Sequence, residues 1–169
     1  VQIRDALDAD LPGILEIYND AVQNSTAIWN DKLVDLDNRR AWMAERREQD
    51  CPVLVAIDDH QQVAGYASFG PWRPHDGFRH TVENSVYVRS GQRGGGVGRS
   101  LMHALIKRAR EQHKHVMIAA IESENRASIH MHQQLGFIHA AQMRQVGCKF
   151  GRWLDLTMMQ LPLNRTSHP

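Results

Sequence analysis

Cysteine is scarce. Cys51 and Cys148 are the only two in 169 residues, too few for a disulfide framework and in keeping with a reducing cytosol. Neither sign of charge is in excess. Twenty Lys and Arg face nineteen Asp and Glu, for a net charge of +1, which argues against a dedicated nucleic-acid binder, whose surface carries a basic surplus. No apolar run approaches the roughly 20 residues that cross a bilayer, and no secretory signal opens the chain, so no membrane and a cytoplasmic setting are expected. The sequons Asn24-Ser25-Thr26 and Asn164-Arg165-Thr166 carry no weight in that setting. Internal repeats, low-complexity segments and linkers are missing as well. What remains is an ordinary globular composition, 42% hydrophobic and 23% charged, in a length that fits one domain. That domain is expected over residues 1–163, with a tail at 164–169.

Residues 1–6 read as a short edge strand. Asp8-Ala9-Asp10-Leu11-Pro12 is a helix-start signal, with Asp as cap and Pro in the first turn. Leu11, Ile14, Leu15, Tyr18, Ala21 and Val22 then keep helical spacing. Residues 24–33 are irregular and polar around Ile28 and Trp29, either cover for a pocket or a loop that packs a tryptophan. A charged helix is predicted over 37–48, where Arg39, Arg40, Arg46 and Arg47 alternate with acids as a solvated face. Residues 52–57 are a buried-strand run, turned by Asp58-Asp59-His60-Gln61 into a second strand over 62–69. Gly and Pro make 70–77 a loop. Residues 81–88 alternate as a strand, with Val82, Asn84, Val86 and Val88 on one face and Glu83, Ser85 and Tyr87 on the other. A helix carrying Leu101, Leu105 and Ala109 follows, then a strand over 115–121. A short helix is capped at Ser123-Glu124-Asn125 and closed by Gly136, ahead of strands over 137–146 and 152–161.

Between the strand at 81–88 and the next helix lies Gln92-Arg93-Gly94-Gly95-Gly96-Val97-Gly98-Arg99. Four glycines in five residues leave backbone N–H groups unscreened. A helix N-terminus behind them adds unpaired donors and the positive end of a macrodipole, and Arg93 and Arg99 add full charges. Such a turn is an anion cradle suited to a phosphate or diphosphate; a flexible turn without a ligand is the alternative. Two nucleotide motifs fail on spacing. No glycine triple here fits Gly-x-Gly-x-x-Gly. A P-loop would place a glycine where Arg93 stands and a lysine where Arg99 stands.

Arg93-x-x-Gly96-x-Gly98, after Val86-Tyr87-Val88 and opening a helix, resembles the acetyl-CoA motif of the GNAT N-acetyltransferases. Asn125-Arg126-Ala127-Ser128-Ile129-His130-Met131-His132-Gln133-Gln134-Leu135-Gly136-Phe137 is similar to that family's second motif. Gly70-Pro71-Trp72, Thr81-Val82-Glu83-x-Ser85-Val86-Tyr87-Val88 and Lys149-Phe150-Gly151-Arg152-Trp153-x-Asp155 resemble the phosphinothricin and methionine sulfoximine acetyltransferase branch, over residues 3 to 163. Arg73-Pro74-His75 and Gly147-Cys148 depart mildly from it. The resemblance implies an α/β fold, with a central twisted, mostly antiparallel sheet flanked by helices and splayed near Val86 and Val88. It also implies acetyl-CoA as co-substrate, a homodimer, and an acceptor amino acid with a tetrahedral polar side chain, such as methionine sulfoximine, methionine sulfone or phosphinothricin.

Acetyl transfer to an amine needs a bound thioester, a polarised carbonyl, a deprotonated amine and an acid for the leaving thiolate. Amides of Gly94, Gly95, Gly96, Val97, Gly98 and Arg99 are placed to hold the CoA diphosphate. The resemblance implies that backbone at Val86, Tyr87 and Val88 pairs with the pantetheine arm, that a donor near Val86 serves the thioester oxygen, and that Asn125, with Ser128 a weaker contact, binds pantetheine. Asn125 equally suits plain helix capping. Glu83, three residues before Val86, is the general-base candidate, with a pKa raised if Trp72 and Tyr87 desolvate it; the alternative is a rim carboxylate that only pairs with the ammonium. His132 stands where many family members carry a tyrosine and is the candidate thiolate acid, or else a structural helix histidine. Arg73 has the fork for the acceptor's carboxylate. Trp72, Pro74, His75, Asn84, Ser85 and Lys149 complete the acceptor set, and Trp29 and Phe78 line the pocket or the core. No metal is expected, since His130 and His132 fall on nearly opposite helix faces. Cys148 reads as a small buried thiol. The apolar strand over 154–161, with Trp153, Met158 and Met159, is the expected dimer surface or a piece of core. A protein or peptide N-acetyltransferase and a non-catalytic acyl-CoA-binding regulator are the rival readings.

Overall fold

Two largely apolar runs build one side of the sheet. Val53–Ile57 (β2) and Val63–Pro71 (β3) are buried throughout except at Pro71. They form an antiparallel hairpin in which Val53 opposes Ser68 and Ile57 opposes Val63. The Asp58 carboxylate closes its turn by accepting the amides of His60 and Gln62, each at 2.9 Å. Gln2–Asp5 (β1) adds antiparallel to β2. Thr81–Val88 (β4), Val116–Glu122 (β5), Ile138–Lys149 (β6) and Arg152–Pro162 (β7) complete seven strands in the order β1-β2-β3-β4-β5-β7-β6. The β5–β7 and β6–β7 pairs are antiparallel and β4–β5 is parallel. Four helices accompany the sheet: Leu11–Asn24 (α1), Leu36–Glu48 (α2), Val97–Glu111 (α3) and Arg126–Gln134 (α4). The computed structural model describes residues 1–169, and none of its helices is long and apolar enough to cross a membrane.

The chain divides into two compact units, each drawn from two stretches: Val1–Gly70 with Ser85–Leu105, and Pro71–Asn84 with Ile106–Pro169. In the first, Leu11, Ile14 and Ile17 of α1 meet Met43 of α2 and Val55 and Tyr66 of the β2–β3 hairpin. Full burial of each such side chain stabilises by about 1.5–3 kcal/mol. Gly65 matters here, because a Cβ on it would lie 2.9 Å from the Tyr87 carbonyl oxygen; only glycine lets β3 come so close to β4. In the second unit, Met117 of β5 and Leu154 and Met159 of β7 are at most 2% exposed. Leu163 is still buried, its amide donating to His115 O at 2.8 Å.

Several local expectations change. Asp10 does not cap α1 with its side chain. Its carboxylate instead takes two hydrogen bonds from Arg4, at 2.7 and 3.0 Å, and one from the Leu7 amide. Burial pushes that carboxyl up, but Arg4 and the Leu7 amide outweigh it and hold it below the usual range. Arg39 is not on a solvated face. Its guanidinium lies 4.0 Å from the centre of the Tyr18 ring and 4.9 Å from that of Trp42, and it is buried, because a flat, weakly hydrated cation stacks well on aromatic faces. Arg40 and Arg47 do stay outside, paired with Asp37 and Asp8. Cys148 is exposed rather than buried, while Cys51 is buried. The strand expected at the dimer surface, β7, lies between β5 and β6, with Met159 buried and Trp153 exposed. Helix α3 begins at Val97, two residues earlier than the apolar spacing suggests.

Candidate active site

Glycine conformation shapes the donor side. Gly94 and Gly96 sit at φ +81° and +84°, a region L-residues avoid, and nothing lies within 4 Å of where a side chain would begin at either. The chain therefore reverses directly into α3. Ser100 donates to Gly96 O at 2.9 Å, the first bond of the helix, which leaves the amides just ahead of it as the first-turn donors. Arg93 and Arg99 are exposed beside them. The strand end leading into this turn is tied down. Arg89 donates to Val63 O and pairs with Glu16, both at 2.8 Å, and Gln92 reaches Asp58 at 3.3 Å. Arg93 donates to Val88 O at 3.4 Å and lies 3.9 Å from Asp20. Asp20, Glu16 and Arg89 carry no signal in the sequence, because their contacts span long stretches of chain. Val86, Tyr87 and Val88 are half-buried, the Tyr87 ring leaning on Tyr66 with centroids 5.3 Å apart. Open space over the positive-φ glycines, adjoining unpaired amides, fits the diphosphate of an acyl-CoA.

The β4–β5 ladder runs only through Thr81, Val82 and Glu83, facing Val116, Met117 and Ile118. β4 then continues to Val88 while β5 pairs on with β7. This early end of the parallel ladder is the expected splay. Glu83 stands at the last paired position and is exposed. The loop ahead of β4 brings together four of the named residues. Trp72 packs edge-on against Phe78 at 5.3 Å, His75 against Phe78 at 6.1 Å, and the Arg73 guanidinium lies 5.1 Å from the Trp72 ring centre. Arg73, Pro74 and His75 are exposed and Trp72 is half-buried. The loop is anchored at its base, where the Trp72 amide donates to Thr81 O.

His132 is 1% exposed. Its Nδ1 lies 2.8 Å from Ser128 O and 3.4 Å from Ser128 Oγ, and its Nε2 lies 3.1 Å from Asn84 Nδ2. Phe137 closes over the ring at 4.9 Å. Burial pushes the imidazole pKa below its ordinary 6.5, with the Ser128 carbonyl pulling the other way. Asn125 caps α4, its side chain accepting the Ser128 amide at 3.2 Å. Lys149 is 3% exposed beside the turn of the β6–β7 hairpin, its ammonium 4.9 Å from the Phe150 ring centre. Ser85 is half-buried on β4, and Trp29 is half-buried with its indole N–H on Thr26 O.

The chain is similar to known proteins along most of its length. The profile of the acetyltransferase (GNAT) family matches residues 14–137. The chain is 64% identical over 164 residues to the L-methionine sulfoximine/L-methionine sulfone acetyltransferase of Pseudomonas aeruginosa strain PAO1, covering 97% of this chain and 95% of that one. It is 57% identical over 169 residues to the L-amino acid N-acyltransferase MnaT of Escherichia coli K12, covering 100% and 98%. Among solved structures, a GNAT superfamily phosphinothricin acetyltransferase from Sinorhizobium meliloti, in complex with acetyl-CoA, superposes with a TM-score of 0.95 at 34% identity, over 98% of this chain and 90% of that one.

Proposed function

The chain belongs to the GNAT family of acetyltransferases, and on that footing we propose that it acetylates the α-amine of a small amino acid with a tetrahedral polar side chain. Methionine sulfone, methionine sulfoximine and phosphinothricin are the acceptors that its relatives' activities favour. The observation that carries the reading is the pair Gly94 and Gly96, held at positive φ over open space ahead of α3.

The amides of residues 94–99 hold the diphosphate of the donor, assisted by the charges of Arg93 and Arg99. Bound there, acetyl-CoA supplies an activated acetyl thioester. Backbone of Val86, Tyr87 and Val88 aligns the donor's arm as an added strand, an amide near Val86 faces the thioester oxygen, and Asn125 and Ser128 at the start of α4 steady it. Glu83 takes the ammonium proton of the acceptor, directly or through one water. Its exposure lets proton and acceptor reach it from solvent, and the arriving acceptor displaces water from it. Arg73, held over Trp72, takes the acceptor's carboxylate as a bidentate fork, with Pro74, His75, Ser85 and Lys149 as the secondary set. A screen of free amino acids and their oxidised derivatives, scored by thiol release from acetyl-CoA, tests this. The expected result is fastest release with methionine sulfone or sulfoximine. Faster release with peptides, or tight acetyl-CoA binding without release for any amine, overturns it.

We further propose that the protein works as a homodimer in the cytoplasm, where its two free thiols stay reduced. Exposed apolar residues on the outer strand support a second copy as the partner. β6 ends the sheet and is exposed along almost its whole length, including Ile138, Met143 and Val146, and the hairpin carries Phe150 and Trp153 in the open. Sedimentation is expected to show a dimer that Met143→Lys with Trp153→Lys converts to monomer; a wild-type monomer contradicts it.

A further inference from the structure

The buried histidine of α4 joins two stretches to which the proposed function gives different tasks. Ser128 O is a carbonyl and only accepts, so the 2.8 Å contact requires a proton on His132 Nδ1. A neutral ring then carries its lone pair on Nε2, and the 3.1 Å contact with Asn84 is a bond donated by the amide nitrogen Nδ2. That bond also fixes which way round the Asn84 amide sits. The groups against the ring are the Asn84 amide, the Ser128 carbonyl and hydroxyl, and the Phe137 ring. Both nitrogens are committed. A proton could leave from Nε2 only after that bond broke and the ring became a buried cation, which costs heavily without a paired anion.

The bonds form one line. The Asn125 side chain accepts the Ser128 amide, the Ser128 carbonyl accepts His132 Nδ1–H, and His132 Nε2 accepts Asn84, which neighbours Glu83 on β4. The last link falls one residue beyond Glu83, the last register position of the β4–β5 ladder.

We infer that His132 is a positioning residue for the transfer: a neutral imidazole with its proton on Nδ1 pins Asn84, and through it the Glu83 end of β4, to helix α4. The inference rests on the acetyltransferase reading, in which Glu83 handles the amine proton. It replaces the proton-donor role that the sequence suggests for His132.

Three variants and one spectrum test it. His132→Ala is expected to lower kcat about 30-fold, in the range of a lost second-sphere partner, with a smaller change in the KM for acetyl-CoA. His132→Gln, whose Oε1 can accept from Asn84 but cannot titrate, is expected to recover about tenfold of that loss and to keep both limbs of the kcat–pH profile. Adding Asn84→Ala to His132→Ala is expected to cost little more, because the two act as one unit. Loss of a limb of the profile in His132→Gln, or no recovery over alanine, overturns the pin. Nitrogen-15 spectra of the wild-type imidazole need no turnover and no variant that folds. They are expected to show Nδ1 protonated and Nε2 unprotonated at about pH 7 and above; a proton on Nε2 at neutral pH overturns it. Absent turnover with every amine defeats the acetyltransferase reading alone, since these spectra still decide the tautomer.

Discussion

The glycine turn ahead of α3 and the His132 cluster on α4 solve opposite problems. The turn is built from backbone. Residues 93–96 are exposed, Gly94 and Gly96 are shaped by their own φ angles, and no side chain crowds them. The cluster is built from side chains, at 1% exposure for His132, and its Asn84 bond spans 48 residues of chain. A backbone site tolerates any substitution that leaves its dihedrals alone. A side-chain site tolerates almost none that moves an atom, because a buried polar group that loses its partner costs about 1–3 kcal/mol. Donor binding and acceptor chemistry should therefore fail separately.

The largest effect belongs to the chemistry. Glu83→Gln is expected to cut kcat about 10²–10³-fold with the KM for acetyl-CoA unchanged, measured by thiol release; a rate near wild type removes Glu83 as the base. Next comes the turn. Gly96→Val forces a β-branched residue into the left-handed region at a strain of about 1–2 kcal/mol, so acetyl-CoA affinity by calorimetry is expected to fall about tenfold. Gly95→Ala is the control that sharpens this. Gly95 is not at positive φ, and its nearest neighbour, Gln92 O, is 3.8 Å from the new methyl, so affinity should stay within about twofold.

The smallest effect is on stability. His132 has a folded-state pKa below the ordinary 6.5, so the unfolded chain takes up the proton first as pH falls. The contribution is whole above 6.5, is lost as pH drops from there toward the folded value, and levels off below it. Chemical denaturation is expected to show that decline in the wild type and a weaker one in His132→Gln. Asp10 answers in a different window. Its carboxyl is held below the ordinary 3.8, so its contribution is whole above that value and goes only as pH falls through the folded one. Equal acid sensitivity in His132→Gln removes the buried neutral histidine.

What could be read from the sequence divides along the same line. The turn was legible because glycine content, flanking arginines and a following helix are local properties. The strands β2 and β3 were legible because a run of buried apolar residues has few other uses. The exposure of Glu83 was not legible, since it depends on how distant parts of the chain fold around β4. Arg39 looked solvated because a charged helix hides which cation meets Tyr18 and Trp42. The outer position of β6 was hidden for a topological reason: β7 returns between β5 and β6, so the last strand in sequence is interior and the one before it is at the edge. The role of His132 turned on a partner in β4 that no spacing within α4 could announce.

Steady-state kinetics with both substrates varied, on Gly96→Val and Arg73→Lys side by side, tests the separation most directly. Gly96→Val is expected to raise the KM for acetyl-CoA about tenfold and leave that for methionine sulfone unchanged. Arg73→Lys, which keeps the charge but loses the fork, is expected to raise the KM for methionine sulfone about tenfold and leave that for acetyl-CoA unchanged. If either variant raises both constants together, the glycine turn and the Arg73 loop do not divide donor from acceptor.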